Sequence, residues 1–171
     1  MAEDFADRHV ARWRDHWIID TPFDDAVEAA TVRVDRIARF FREAKQAAVA
    51  EVGLQDFEYD TLHMLLVRDT PGHASPRALS KDLAVSPAGM TGRLDGLEEA
   101  GYIQRTTSTT DRRRVDIEAT KAGVAIWRRA MAVRGRAEEG LFAALSDTEL
   151  TTLNSLLKKL TTSIEGAADE D

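Results

Sequence analysis

Residues Ser86–Arg114, SPAGMTGRLDGLEEAGYIQRTTSTTDRRR, decide the fold. Ser86 and Pro87 open an amphipathic helix that runs to Glu99, since Ser suits an N-cap and Pro the first helical position. Gly101 ends it, the β-prone pair Tyr102-Ile103 follows, and a polar loop finishes on Arg112, Arg113 and Arg114. A helix of this size fits a DNA major groove. The hairpin behind it carries a cationic tip that can reach the neighbouring phosphates. The outline is a winged helix-turn-helix, so the expected fold class is mainly α with a small β-hairpin wing.

Working outward, Ser75-Pro76 repeats the same helix start for a short helix, Arg77 to Leu83. The tight Ala84-Val85 turn then joins two short helices in helix-turn-helix order. Tyr102–Thr106 and Val115–Glu118 are the strand candidates, and the second alternates apolar with polar. Upstream, Phe57 to Arg68 reads as a helix stopped by Asp69-Thr70-Pro71-Gly72. Before it, a helix of some thirty residues runs from Pro22 to Val52, with Val27, Val34, Ile37, Phe41, Ala44 and Ala48 at helical spacing and Gly53 as its stop. A shorter helix, Asp4 to Trp17, precedes that. After the wing, Thr120 begins a helix of about twenty residues. Ser146-Asp147-Thr148-Glu149 then forms a capping box for a last helix to Ile164, with Leu150, Leu153, Leu157 and Leu160 in register. One domain is expected over 1–171: N-terminal and long helices at 4–52, a winged lobe at 56–119, and C-terminal dimerisation helices at 120–164.

Composition narrows the class. With 43% hydrophobic and 31% charged residues the chain is globular rather than disordered. No window approaches the ~18 apolar residues of a membrane span. The charged start MAEDFADRHVARW lacks an apolar signal core, so a cytoplasmic protein is expected. The absence of cysteine excludes disulfides and thiolate chemistry. A net charge of −7 argues against general polyanion binding, yet its distribution is uneven. From Arg77 to Arg114, seven basic residues face five acidic ones and leave +2; the rest of the chain carries −9. A basic face on an acidic body suits contact with DNA at one surface.

Ser86, Pro87, Ala88, Met90 and Thr91 are the candidate groove contacts. Small residues at Ala88, Gly89 and Gly92 leave the helix N-terminus free to approach DNA, where its amides favour phosphate. Thr91 offers a hydroxyl and a methyl to base edges. Arg112, Arg113 and Arg114 are the candidate wing contacts, while Leu94, Leu97 and Ile103 belong to the core. His9, His16, His63 and His73 do not form a metal-ligand spacing, and no cofactor is expected. No nucleophile–base set or phosphate loop points to an enzyme. A winged-helix module for protein contacts stays open as the competing class, although three adjacent arginines favour double-stranded DNA.

This order of elements resembles the MarR family of bacterial transcription regulators over about Asp7 to Leu160. The likeness rests on Ser86-Pro87-x-x-Met90-Thr91-x-Arg93-Leu94, Leu97-Glu98-x-x-Gly101, Asp111-Arg112-Arg113 and Thr120-x-x-Gly123. The resemblance implies a homodimer with interlocking terminal helices and two winged lobes on a near-palindromic operator. It also implies that Asp111 orients the wing through Arg113 and that Arg93 contacts DNA. A narrower resemblance joins Asp7-Arg8-x-Val10-x-x-Trp13 and Asp20-Thr21 to the urate-responsive, HucR/PecS-like subgroup. It implies an anionic effector, urate or a related purine, bound by Trp13, Arg68, Asp69 and Arg93. Trp17 competes with Trp13 as the aromatic platform, and a carboxylate or phenolic metabolite competes with urate. On this reading Asp69 and Arg93 pair in the absence of effector and hold the recognition helix ready for DNA.

Overall fold

The computed structural model describes residues 2–13, 24–107 and 115–168. Seven helices and a three-stranded sheet follow one another in the described chain: α1 Phe5–Trp13, α2 Asp25–Glu51, α3 Asp56–Leu66, β1 His73–Ala74, α4 Pro76–Asp82, α5 Pro87–Glu99, β2 Ile103–Thr107, β3 Val115–Ala119, α6 Lys121–Phe142 and α7 Asp147–Ala168. The expected winged helix-turn-helix is therefore present, on a frame of long helices. None of the described helices is long and apolar enough to cross a membrane.

The start of α2 shows local chemistry at work. Asp24 accepts from the amides of Ala26 and Val27 at 2.8 and 3.2 Å, satisfying two donors that the first turn leaves open. The described helix thus begins behind an Asp cap, and Pro22, the expected start, lies outside the described residues together with His16 and Trp17. Arg33 fastens α1 to α2: its Nε donates to Asp4 at 2.8 Å and its Nη2 to Asp7 at 2.6 Å. That guanidinium holds the Asp4 carboxyl down at about 2.

The sheet contains a strand beyond the expected hairpin. β1 is two residues long and pairs with β3 through His73 opposite Glu118 and Ala74 opposite Ile117. β2 pairs with the other edge of β3, from Ile103 opposite Ala119 outward, so the order is β1-β3-β2. Gly72 makes the extra strand possible: it turns the chain at φ +82° and its carbonyl accepts from Ala119 at 2.9 Å.

The core lies in the winged lobe. Leu62 and Leu65 of α3, Leu79 of α4, Leu97 of α5 and Ile117 of β3 are fully buried together. Each such side chain contributes about 1.5–3 kcal/mol. α6 closes one side with Ile126 and Ala130. Its entry depends on Gly123, where a Cβ would sit 2.0 Å from the Tyr102 carbonyl oxygen. Thr120 completes the joint by accepting from Gly123 and donating to the Gly101 carbonyl at 2.7 Å. In contrast, α7 makes no substantial packing contact with the other described elements.

Candidate nucleic-acid interface

α4 and α5 meet across a turn in which Ala84 takes φ +51°, left-handed backbone that an L residue adopts at a cost. The turn delivers Ser86 as the cap of α5: its Oγ accepts from the Gly89 amide at 3.2 Å. Gly89 is small for a reason, because a Cβ there would meet Val85 at 3.0 Å and the capping Oγ at 3.2 Å. A Cβ at Gly92 meets nothing within 4 Å, so that position faces open space. Pro87, Ala88, Gly89, Thr91, Gly92 and Asp95 are exposed. Met90, Leu94 and Leu97 form the opposite, buried face of the same helix.

Met90 therefore leaves the set of groove contacts. It is 1% exposed and packs in the core, since its i, i+4 and i+7 spacing with Leu94 and Leu97 puts all three on one stripe. Thr91 stays on the exposed face, but its hydroxyl already donates to the Pro87 carbonyl at 3.0 Å. What it retains for a ligand is an acceptor oxygen and a methyl group.

Behind α5, strands β2 and β3 lead toward the wing tip. Asp111, Arg112, Arg113 and Arg114 lie outside the described residues. Arg105 of β2 is a feature that reading along the sequence missed. Its Nη2 donates to Asp95 at 2.6 Å, its Nη1 to Glu98, and its backbone amide to Glu98 at 3.1 Å. Both partners hold its proton more firmly than usual, the hydrogen bond with Asp95 first. Arg105 thus spends its charge on two carboxylates of α5 instead of adding to a general cationic face.

The one cation of α5, Arg93, rests with its guanidinium 5.6 Å from the Phe57 ring. It forms no ion pair with Asp69, which is exposed near the far end of α3. The expected Asp69–Arg93 lock is therefore absent, and geometry explains why. From Phe57 to Leu66, the end of α3, the helix rises about 14 Å, and Arg68 and Asp69 lie beyond that end. At that far end Arg68 donates from Nη1 to Asp82 of α4, and its buried Nε has no partner among the described residues. Trp13 closes the described part of α1 and is 41% exposed. The four residues expected to bind an effector are thus spread over the end of α1, the segment just after α3, and α5. A cleft of about 390 Å³ does lie beside α1, lined by Phe5, Arg36, Ile37, Phe40 and Leu141 among others, none of them in that set.

The Arg33 and Arg105 clamps, together with a bond from Trp127 Nε1 to His63 Nδ1 at 3.1 Å, are among the polar ties that sequence reading passed over. Each joins residues on different elements, so no local pattern marks them.

Comparison with known proteins places this arrangement. Residues 59–115 match the MarR family profile. The HTH-type transcriptional regulator PecS of Dickeya dadantii is 29% identical over 127 residues, 74% of this chain and 76% of the relative. An HTH-type transcriptional repressor of Mycobacterium bovis is 30% identical over 125 residues, 73% and 88%. Among solved structures, a MarR family protein from Bacillus stearothermophilus superposes with a TM-score of 0.71 at 18% identity, covering 84% of this chain and 99% of that one. A mutant of MepR from S. aureus bound to an oligodeoxyribonucleotide gives 0.62 at 19%, covering 79% and 97%.

Proposed function

Because the chain belongs to the MarR family of transcriptional regulators, not enzymes, we propose that it binds a near-palindromic operator as a homodimer and represses transcription until an anionic small molecule releases it. The exposed, small-residue N-terminal face of α5 beside the β2–β3 hairpin carries this reading. Such a helix end brings amides and little steric bulk to a groove. Arg112, Arg113 and Arg114 supply the sequence-independent phosphate attraction, and the family resemblance gives Asp111 the role of orienting Arg113. Ser86, Pro87, Ala88 and Thr91 lie against the duplex. Arg93 reaches the backbone after leaving the Phe57 ring.

A gel shift on a promoter fragment from the protein's own locus, run at several salt concentrations, tests the reading. Arg113→Ala should weaken binding to every sequence and flatten the salt dependence, whereas Thr91→Ala should alter preference among sites. A wild type that selects no palindrome from a random pool ends the regulator reading.

Dimerisation is supported by apolar side chains left open on two helices. Leu156, Leu160 and Ile164 of α7 are 53–71% exposed, and Val27, Val34 and Ile37 of α2 are 43–63% exposed. A second copy that covers them also sets two α5 helices on successive major grooves.

The effector reading centres on Arg68. The proposed ligand is planar and anionic, urate or a related purine, with a carboxylate or phenolic metabolite as the alternative. Support comes from the Nε of Arg68, unpartnered among the described residues, and from the bond of Arg68 to Asp82, which ties the end of α3 to α4. An anion that competes with Asp82 for the guanidinium loosens α4 and, through the turn, α5. A switch from mostly bound to mostly released needs a preference of roughly 5 kcal/mol between the two states. Urate and citrate titrated against the preformed DNA complex at fixed salt should release wild type, and Arg68→Ala should be refractory. Trp13→Phe and Asp69→Ala report whether those exposed residues complete the site. Equal release of wild type and all three variants would refute the assignment.

A further inference from the structure

α5 is acidic for a helix meant to approach DNA: Asp95, Glu98 and Glu99 outweigh Arg93. Glu98 is consumed twice by Arg105, once through its backbone amide and once through the guanidinium. Asp95 differs. It stands on the exposed face with Ala88, Thr91 and Gly92, and its side chain is 59% exposed. Only Oδ1 is engaged, by Arg105 Nη2 at 2.6 Å; Oδ2 has no partner among the described residues. A carboxylate needed only to anchor Arg105 does not have to sit on this face, since Glu98 already provides two bonds.

We infer that Asp95 reads the exocyclic amine of a cytosine in the major groove through Oδ2, with Arg105 as the residue that positions it. The inference rests on the DNA-binding reading above. Acidic side chains recognise cytosine by accepting from N4–H₂, while the phosphates on either side repel them. Arg105 answers both requirements. Its guanidinium fixes the carboxylate rotamer through Oδ1 and cancels charge beside the groove, which leaves Oδ2 as an oriented acceptor. Asp95 lies one turn beyond Thr91, about 6 Å along the helix. That is just under two base steps of about 3.4 Å, so the pair can address positions about two base pairs apart in one half-site.

The test is selection of operators from a random pool by the full-length protein, followed by affinity measurement on single-base variants of the winner. Wild type should prefer cytosine about tenfold at one position of each half-site. Asp95→Ala should lose that preference alone and bind non-cognate DNA at least as well, because a negative charge is gone. Asp95→Asn should move the preference to adenine, since Asn pairs with N6 and N7. Arg105→Lys should keep the cytosine preference but weaken it. Arg105→Met, which frees both carboxylates, should lower affinity for all sequences. A merely structural Asp95 predicts a uniform loss of affinity with every base preference intact, and that result overturns the inference while the regulator reading stands. A wild type without any site preference overturns both. Circular dichroism of the isosteric Asp95→Asn protein confirms that the fold is retained.

Discussion

The winged lobe and the outer helices of this chain are built to different degrees of completion. In the lobe, Leu62, Leu65, Leu79, Leu97 and Ile117 are sealed from water by residues of the same chain. In α7, Leu160 and Ile164 remain 58% and 71% exposed, and Val27 of α2 reaches 63%. Surfaces of this kind on soluble proteins mark association sites. The lobe is therefore a finished fold, whereas the outer helices keep apolar faces that no other described residue covers. The contrast also separates tasks: a self-contained lobe can keep its reading face intact while its distance from a second lobe changes.

Removing the unfinished part gives the largest expected effect. Truncation after Ala144 deletes α7 and should yield monomers or insoluble protein, with operator affinity lost along with the second lobe. Sedimentation at micromolar concentration checks this, and far-UV and near-UV circular dichroism should show the lobe still packed. A stable truncated dimer would erase the distinction between the two regions.

Within the finished part, a single methyl group should be the most damaging change. Gly123→Ala places its Cβ 2.0 Å from the Tyr102 carbonyl oxygen, and that oxygen already accepts from the Thr120 amide at 3.0 Å. Neither group can yield without breaking the junction of β2 with α6. A cost of at least about 3 kcal/mol is expected, read as a drop in the urea midpoint at unchanged slope. A loss under about 0.5 kcal/mol, no more than a surface change costs, would show that the lobe is looser than its burial implies.

How much of this was legible in the sequence depended on range. The caps at Ser75, Ser86 and Thr120, the helix end at Gly101 and the alternation in Val115–Glu118 are local, and the structure follows them. Met90 was legible too, since its spacing with Leu94 and Leu97 marks a core position; the motif likeness drew it into the contact set instead. β1 is two residues long and pairs at a distance, so no periodicity announces it. The clamp between Arg105 and Asp95 spans ten residues, and the one between Arg33 and Asp4 spans twenty-nine. In a chain with thirty acidic residues, proximity along the sequence cannot select such partners. Arg68 and Asp69 likewise adjoin in sequence yet take different surroundings, and the helix between Phe57 and Arg68 keeps Arg93 from both.

The smallest effect should arise where the two regions join. His63 of α3 accepts from Trp127 of α6 at 3.1 Å and stacks on Tyr59, whose ring also faces Lys45 of α2 at 5.5 Å. Burial lowers the His63 pKa, Arg134 and Lys45 lower it further, and Asp60 opposes them. The folded protein therefore prefers neutral His63, whose Nδ1 lone pair the Trp127 bond requires. A histidine of depressed pKa leaves stability unaffected above its unfolded value near 6.5. As pH falls below about 6.5 the unfolded chain takes up the proton first, so stability declines until the folded pKa is passed. Protonation would also set the imidazole N–H against the indole N–H and break the tie between α3 and α6. Between pH 7.5 and 5, the urea midpoint of wild type should fall more than that of His63→Gln, and Trp127 emission should change with a midpoint below 6.5. Parallel pH profiles for the two proteins would show that this joint carries no proton-linked stability.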